Sequence, residues 1–297
     1  MQRIQLVTGK GGVGKSTMVA AYALAAAECG QTPLIVELGH RASIEALLGR
    51  SIGFEPREVA PGVHAMRAEL EPALVDYVAA QVRVRALAKR IVHSPTLNRF
   101  FHAAPAVAEV ATLHLLERLV EGDRFDPILV DLDSTGHARM FLALPDVFEG
   151  LAGAGPLRTL LDASTALLRD PTQTVLHLVS IPEALPVRET VQLLDDLERA
   201  RTVRVGALII NRTPTPPLSD ADVRALDDLE PDADVLLARR MLHRYAHQTE
   251  LVDQLRARHS HTVTIAERGD LAHPHVGPAL HALGRELLEA LEPGSTR

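Results

Sequence analysis

Gly9-Lys10-Gly11-Gly12-Val13-Gly14-Lys15-Ser16 fits the spacing G-x-x-x-x-G-K-[ST], which is suited to holding phosphates. Gly11, Gly12 and Gly14 let the backbone curl through positive φ and approach a ligand with no Cβ in the way. The N–H groups of that curl, Val13 included, form an anion nest at a helix N-terminus. Lys15 is then expected to reach the β- and γ-phosphates, the Ser16 hydroxyl to ligate Mg²⁺, and Thr17 to lie near the α-phosphate. The ligand this implies is a nucleoside triphosphate on Mg²⁺. Lys10 is a second cation inside the nest, where it serves no packing purpose.

A phosphate site of this kind also needs an acid at the end of a buried strand, placed to join the metal shell. Asp131 has that place in Val130-Asp131-Leu132-Asp133; its plainer reading is a helix cap. His243 and His247 are four apart on an expected helix, with His273 and His275 close by in sequence, and exposed helix histidines are preferred over a metal site there.

The elements that position these groups read as an α/β, doubly wound, mostly parallel sheet. Ile4 to Thr8, Pro33 to Leu38, Pro127 to Leu132, Val175 to Ile181, Val205 to Ile210 and Thr262 to Ala266 are short, non-alternating apolar runs. Such runs suit strands buried on both faces, and helical patterns lie between them. Ser16 to Glu28 is alanine-rich and suits the helix after the phosphate loop.

Two stretches interrupt the alternation. Residues 69–120 carry Leu74, Val78 and Val82 at helical spacing, then Leu87 and Ile91, with a break expected at Pro95 and a second helix showing Leu113, Leu116 and Val120. Residues 146–169 are also helical in pattern. Together they read as a helical insert within a single domain spanning 1–297, the alternative being long crossover helices.

Composition narrows the class. The chain is 46% hydrophobic and 23% charged, which suits a globular core, and its net charge of −7 argues against a general nucleic-acid binder. A single cysteine, Cys29, excludes an internal disulfide and a cysteine zinc cluster and points to a reducing compartment. The N-terminus lacks a signal-peptide pattern and no apolar run reaches the length of a membrane span, so a cytoplasmic location is expected.

The pattern Lys-Gly-Gly-Val-Gly-Lys-Ser-Thr resembles the deviant P-loop group, in which the first lysine crosses a dimer interface to the partner's nucleotide. The resemblance implies an ATP-sandwiched dimer with Lys10 and Lys15 both serving phosphoryl transfer. Within that group, Asp131 to His137 followed by Leu142 to Pro145 resembles the second switch of the arsenite-pump and tail-anchored-protein-targeting ATPases. Ile181-Pro182-Glu183 with Arg188-Glu189-Thr190 resembles the segment after that family's fourth strand. Ile209-Ile210-Asn211-Arg212 resembles its adenine-reading strand end, with the Asn211 amide able to donate to and accept from the base. The C-terminal third, from Arg239-Arg240-Met241 to Val276-Gly277-Pro278, is similar more weakly.

The chain departs from the family at the first switch. The family usually reads Asp-Thr-Asp-Pro after the second strand, with the second aspartate polarising the attacking water. The aligned residues here are Glu37, Leu38, Gly39 and His40. Glu37 still suits the metal shell, but Gly39 cannot orient or deprotonate water. Three outcomes follow: slow or absent turnover with ATP as dimer glue; rescue by Asp133, with His40 a weaker candidate; or a heterodimer in which a paralogue supplies a complete switch.

The zinc-binding Cys-x-x-Cys pair of targeting members and the arsenite-binding cysteines of pump ATPases are both missing. No methionine lies between Arg67 and Arg139, which argues against a methionine-rich client groove. The expected activity is that of a dimeric ATPase coupling nucleotide state to an unidentified protein client, as a homodimer or heterodimer. The alternatives are a non-catalytic ATP-dependent scaffold and a partition-type positioning ATPase. Ala279 to Leu291 lacks the basic face that a membrane-surface helix needs, although peripheral membrane contact stays open.

Overall fold

The computed structural model describes residues 2–39, 42–95, 105–132, 134–149, 156–230, 232–272 and 277–291. Among them one sheet of eight strands runs in the order β3-β4-β2-β5-β1-β6-β7-β8. The strands are β1 (Ile4–Gly9), β2 (Leu34–Glu37), β3 (Arg57–Ala60), β4 (Val63–Arg67), β5 (Ile128–Asp131), β6 (Thr174–Ser180), β7 (Val205–Thr213) and β8 (Thr262–Ala266). Every pairing is parallel except β3 with β4. The six expected strands are present. The hairpin β3–β4 is additional, and its outer strand begins with exposed Arg57 and Glu58, as an edge strand should.

The helices are α1 (Lys15–Glu28), α2 (Ser43–Leu48), α3 (Leu70–Val82), α4 (Arg85–Val92), α5 (Pro105–Glu121), α6 (Thr135–Glu149), α7 (Pro156–Arg169), α8 (Ala184–Ala200), α9 (Asp220–Ala225), α10 (Ala233–Arg258) and α11 (Gly277–Leu291). Met18 to Ala26 of α1 are all buried, because the alanines let the helix lie between the sheet and α11. At Gly284 of α11 a Cβ would stand 2.0 Å from the Ala21 carbonyl oxygen, so the two helices approach closely enough that only glycine fits.

The stretch expected to run unbroken to Pro95 breaks earlier. Arg83 closes α3 in the left-handed region at φ 58, and the chain restarts at Arg85. That interruption shifts the buried face: Ala88 and Val92 are buried where Leu87 and Ile91 were expected, and Leu87 is 46% exposed. Ala73, Leu74, Val75, Ala88, Val92 and Ala111 close a small core of their own. Leu113 and Leu116 of α5, with Leu160 and Leu168 of α7, instead join the core shared with β1, β5 and β6. Asp76, nearly buried on α3, pairs with Arg85 at 2.8 Å and Arg118 at 3.1 Å, tying α3, α4 and α5 together.

Parallel pairing brings the C-terminal ends of β1, β2, β5 and β7 to one edge of the sheet, delivering Gly9, Glu37, Asp131 and Asn211 there. This is the edge at which doubly wound sheets bind ligands. β5 and β2 lie on one side of β1, and β6 and β7 on the other.

Candidate functional site

The loop after β1 turns into α1 through Gly12 at φ 89 and Gly14 at φ 101, both in the region that favours glycine. Gly14 is the N-cap of α1 and no side chain caps the helix, so its first N–H groups face the loop. Above them lies a cavity of about 660 Å³ lined by Gly11, Gly12, Gly14, Lys15, Ser16, Thr17, Glu37, Gly39, Asp131 and Arg212, among others. The structure thus brings the phosphate-loop residues together with the two strand-end acids. Val13 faces away into the core at 1% exposure, contributing backbone rather than side chain.

Ser16 Oγ donates to Asp131 Oδ2 at 2.6 Å. Asp131 is 4% exposed at the end of β5. The pair sets a hydroxyl and a buried carboxylate side by side at the mouth of the loop, both hard oxygen ligands. Lys15 Nζ donates to the Lys10 carbonyl at 3.3 Å, across the loop.

Glu37 is 2% exposed and its carboxylate is already engaged. Oε1 accepts from the Ile44 N–H at 3.0 Å, and Oε2 accepts from Arg67 Nε at 3.1 Å and Nη2 at 2.9 Å. Arg67 also pairs with Glu45 at 3.2 Å. Burial works to lower the Arg67 pKa, but its hydrogen bond and attraction to Glu37, then to Glu45, outweigh it, and the net shift is upward.

Lys10 reaches Glu189 on α8 and forms an ion pair with Oε1. Thr135 Oγ1, in the first turn of α6, donates to Oε2 of the same carboxylate at 3.0 Å. The hydrogen bond from Lys10 is the main cause holding the Glu189 carboxyl below its ordinary range; partial burial opposes it and Thr135 adds to it. These residues, with Arg139 and Gln192, line a second cavity of about 550 Å³ beside the first.

Asn211, expected to read a base, is 8% exposed. Its Nδ2 donates to the Val13 carbonyl at 2.9 Å and its Oδ1 accepts the Arg212 N–H at 2.9 Å, so the amide braces the phosphate loop. One N–H and one lone pair remain for a ligand. Gly39 lines the cavity at φ 102. Asp133 and His40, the two candidates for a relocated catalytic group, lie outside the described residues, as do His273 and His275. His243 and His247 are exposed, and no cluster of metal-ligating side chains occurs among the described residues. No described helix is long and apolar enough to cross a membrane.

Sequence reasoning did not assign a role to Arg67, and it met Arg212 and Glu189 only within resembling segments. Each acts through a contact with a residue far along the chain, or through a local backbone turn that residue type does not reveal.

The profile of the anion-transporting ATPase family matches residues 2–154. ATPase BagA of Mycobacterium tuberculosis is 30% identical over 248 residues, covering 80% of this chain and 72% of that protein. The ATPase ASNA1 homolog of Babesia bovis is 26% identical, over 69% of this chain and 65% of its own length. The arsenical pump-driving ATPase of Escherichia coli is 27% identical over 74% of this chain, which spans 36% of that longer protein.

Proposed function

The chain belongs to the anion-transporting ATPase family, and on that premise we propose that it binds ATP with Mg²⁺ at the phosphate loop and turns it over slowly. The observation that carries the reading is the Ser16–Asp131 hydrogen bond at 2.6 Å, set beside Lys15 at the N-terminus of α1. The loop N–H groups and Lys15 bind the phosphates, Thr17 holds the α-phosphate end, and Asn211 offers its remaining N–H to the adenine edge.

Ser16 and Asp131 fit Mg²⁺, since a hydroxyl and a buried carboxylate are the oxygen ligands it takes. Bound there, the cation neutralises phosphate charge and orients the triphosphate. Glu37 Oε1 accepts only the Ile44 N–H and keeps one lone pair for that shell, while Oε2 holds Arg67 at the end of β4.

Lys10 is the deviant-loop lysine that acts across a dimer, of two copies or with a paralogue. Reaching a partner's nucleotide requires it to leave Glu189. Nucleotide state then alters α3 and α4, whose small separate core makes them the part best able to shift against the sheet and meet a protein client.

A second reading is an ATP-gated binder with no turnover of its own. The placement of Gly39 in the cavity favours it, because no carboxylate can orient water from that position. Steady-state ATP hydrolysis with Mg²⁺ by the wild type, Lys10→Ala and Asp133→Ala separates the two. Turnover lost in both variants supports a dimeric ATPase with a relocated carboxylate. ATP bound without turnover supports the binder.

A further inference from the structure

The cavity has two cations among its described lining residues, Lys15 and Arg212, and Lys15 is accounted for by the phosphate loop. Arg212 is exposed and follows a buried asparagine. Three features of its backbone show that its direction is set rather than incidental. It sits in the left-handed region at φ 53, which a β-carbon disfavours. The β7–β8 register shifts there, with Ile210 opposite Thr264 but Thr213 opposite Ala266, so that one extra residue is accommodated at Asn211–Arg212. A bulge of this kind re-aims a side chain at the end of a strand. Finally, the Asn211 side chain holds the turn, accepting the Arg212 N–H at 2.9 Å while donating to the Val13 carbonyl at 2.9 Å.

Strand order says which end of the ligand Arg212 meets. Asp131 and Glu37 end β5 and β2, on one side of β1; Arg212 is the last residue but one of β7, two strands away on the other side. At about 4.8 Å per strand that is roughly 10 Å from the loop strand. The metal and the terminal phosphates belong with the acids, so the opposite end of the cavity takes the nucleoside. The contact of the Asn211 amide with Gly14, where an added Cβ would come within 2.5 Å of Nδ2, puts this bulge against the end of the loop that leads into α1.

We propose that Arg212 is the residue that grips the nucleoside end of the nucleotide, its planar guanidinium lying on the face of the purine ring, and that Asn211 positions it for that contact. The inference rests on the ATP-binding reading and deepens it. A guanidinium suits this task because it stacks on aromatic faces while staying hydrated at its edges.

The test is isothermal titration of the full chain, in Mg²⁺, with ATP, ADP and inorganic tripolyphosphate, which lacks the nucleoside. Arg212→Ala is expected to weaken ATP and ADP by about fivefold to thirtyfold while tripolyphosphate stays within about twofold of wild type. Arg212→Gly, which suits the left-handed backbone, should lose as much as Arg212→Ala if the side chain is what matters. Equal losses for ATP and tripolyphosphate would make Arg212 a phosphate cation and overturn the proposal. So would an unchanged ATP affinity, or an Arg212→Gly variant that binds like wild type while Arg212→Ala does not. Wild type that binds tripolyphosphate and no ATP, or neither, overturns the ATP reading itself and this inference with it.

Discussion

Lys10 in the phosphate loop and Glu189 on α8, 179 residues apart in the chain, form an ion pair whose carboxylate also accepts a hydrogen bond from Thr135. The contact joins the loop to the first turn of α6 and the second turn of α8, the helices that follow β5 and β6. It also holds within one chain the lysine that the proposed dimer requires in the other. Because both side chains are more than a quarter exposed, the pair is worth little against water. Glu189→Ala is therefore expected to lower the ATP concentration needed for dimers by about twofold to fivefold. Sedimentation velocity across an ATP titration measures it. Weaker dimerisation in the variant would mean that Glu189 presents Lys10 rather than restrains it.

Glu117 gives the helical region a pH dependence. It lies where α5 meets α7, and Ser164 Oγ donates to its Oε1 at 2.6 Å. Burial pushes its pKa up to about 7, against the lowering effect of the Ser164 hydrogen bond, with a smaller upward contribution from Glu121. A carboxyl raised in this way favours the fold while protonated. Its contribution is complete below about 4.5 and is lost as pH rises through about 7. Glu117→Gln should remove that loss and be more stable than wild type at pH 8 by on the order of 1–3 kcal/mol, with little difference at pH 5. Thermal unfolding from pH 5 to 9 decides it; parallel curves for the two proteins would count against a buried, protonated Glu117.

The sheet was legible wherever burial on both faces left an uninterrupted apolar run, as in Leu34 to Val36 or Ala207 to Ile210. The hairpin β3–β4 was not, because Arg57, Glu58, His64 and Arg67 break up its apolar residues and its outer strand needs only one partner. The face of α4 was misjudged by one residue, since the helical count was carried through Arg83, whose left-handed backbone restarts it. At the site, the glycines and the strand-end Asp131 announced themselves because their types and spacing carry the chemistry locally. The Lys10–Glu189 and Glu37–Arg67 pairs did not, being products of which strands lie next to one another.

Gly284→Ala tests how the phosphate loop is held from behind. The added Cβ would meet the Ala21 carbonyl oxygen at 2.0 Å and the Ala25 Cβ at 3.1 Å, forcing α11 away from α1, the helix whose N-terminus forms the loop. A loss of about 3 kcal/mol is expected, at the upper end for overpacking. Urea unfolding reads it; a change below about 0.5 kcal/mol would mean that α11 is free to slide and does not brace the loop.

Asp131→Asn separates metal binding from phosphate binding. The substitution keeps the shape and a hydrogen bond to Ser16 but removes the charge that a divalent cation needs. ATP affinity measured with Mg²⁺ should fall about tenfold or more, while affinity in excess chelator should change little, since the loop and Lys15 are intact. An equal fall in both conditions would assign Asp131 to the structure of the loop, through the Ser16 hydrogen bond at 2.6 Å.

Gly39→Asp asks whether the missing carboxylate is what slows turnover. Gly39 lines the cavity with Asp131 and Ser16, and the residue aligned with it in the resembling ATPases is the aspartate that polarises water. Its backbone stands at φ 102, which aspartate tolerates better than most residues though not without cost, so some stability is expected to be lost. Restoring a positioned base should nonetheless raise kcat by about a hundredfold, the lower end of what such a group supplies, with the KM for ATP nearly unchanged because the phosphate contacts are untouched. Single-turnover hydrolysis in wild type and Gly39→Asp provides the comparison. An unchanged rate, in protein that still binds ATP, would place the water-orienting group elsewhere and make Asp133→Ala in the same background the deciding variant.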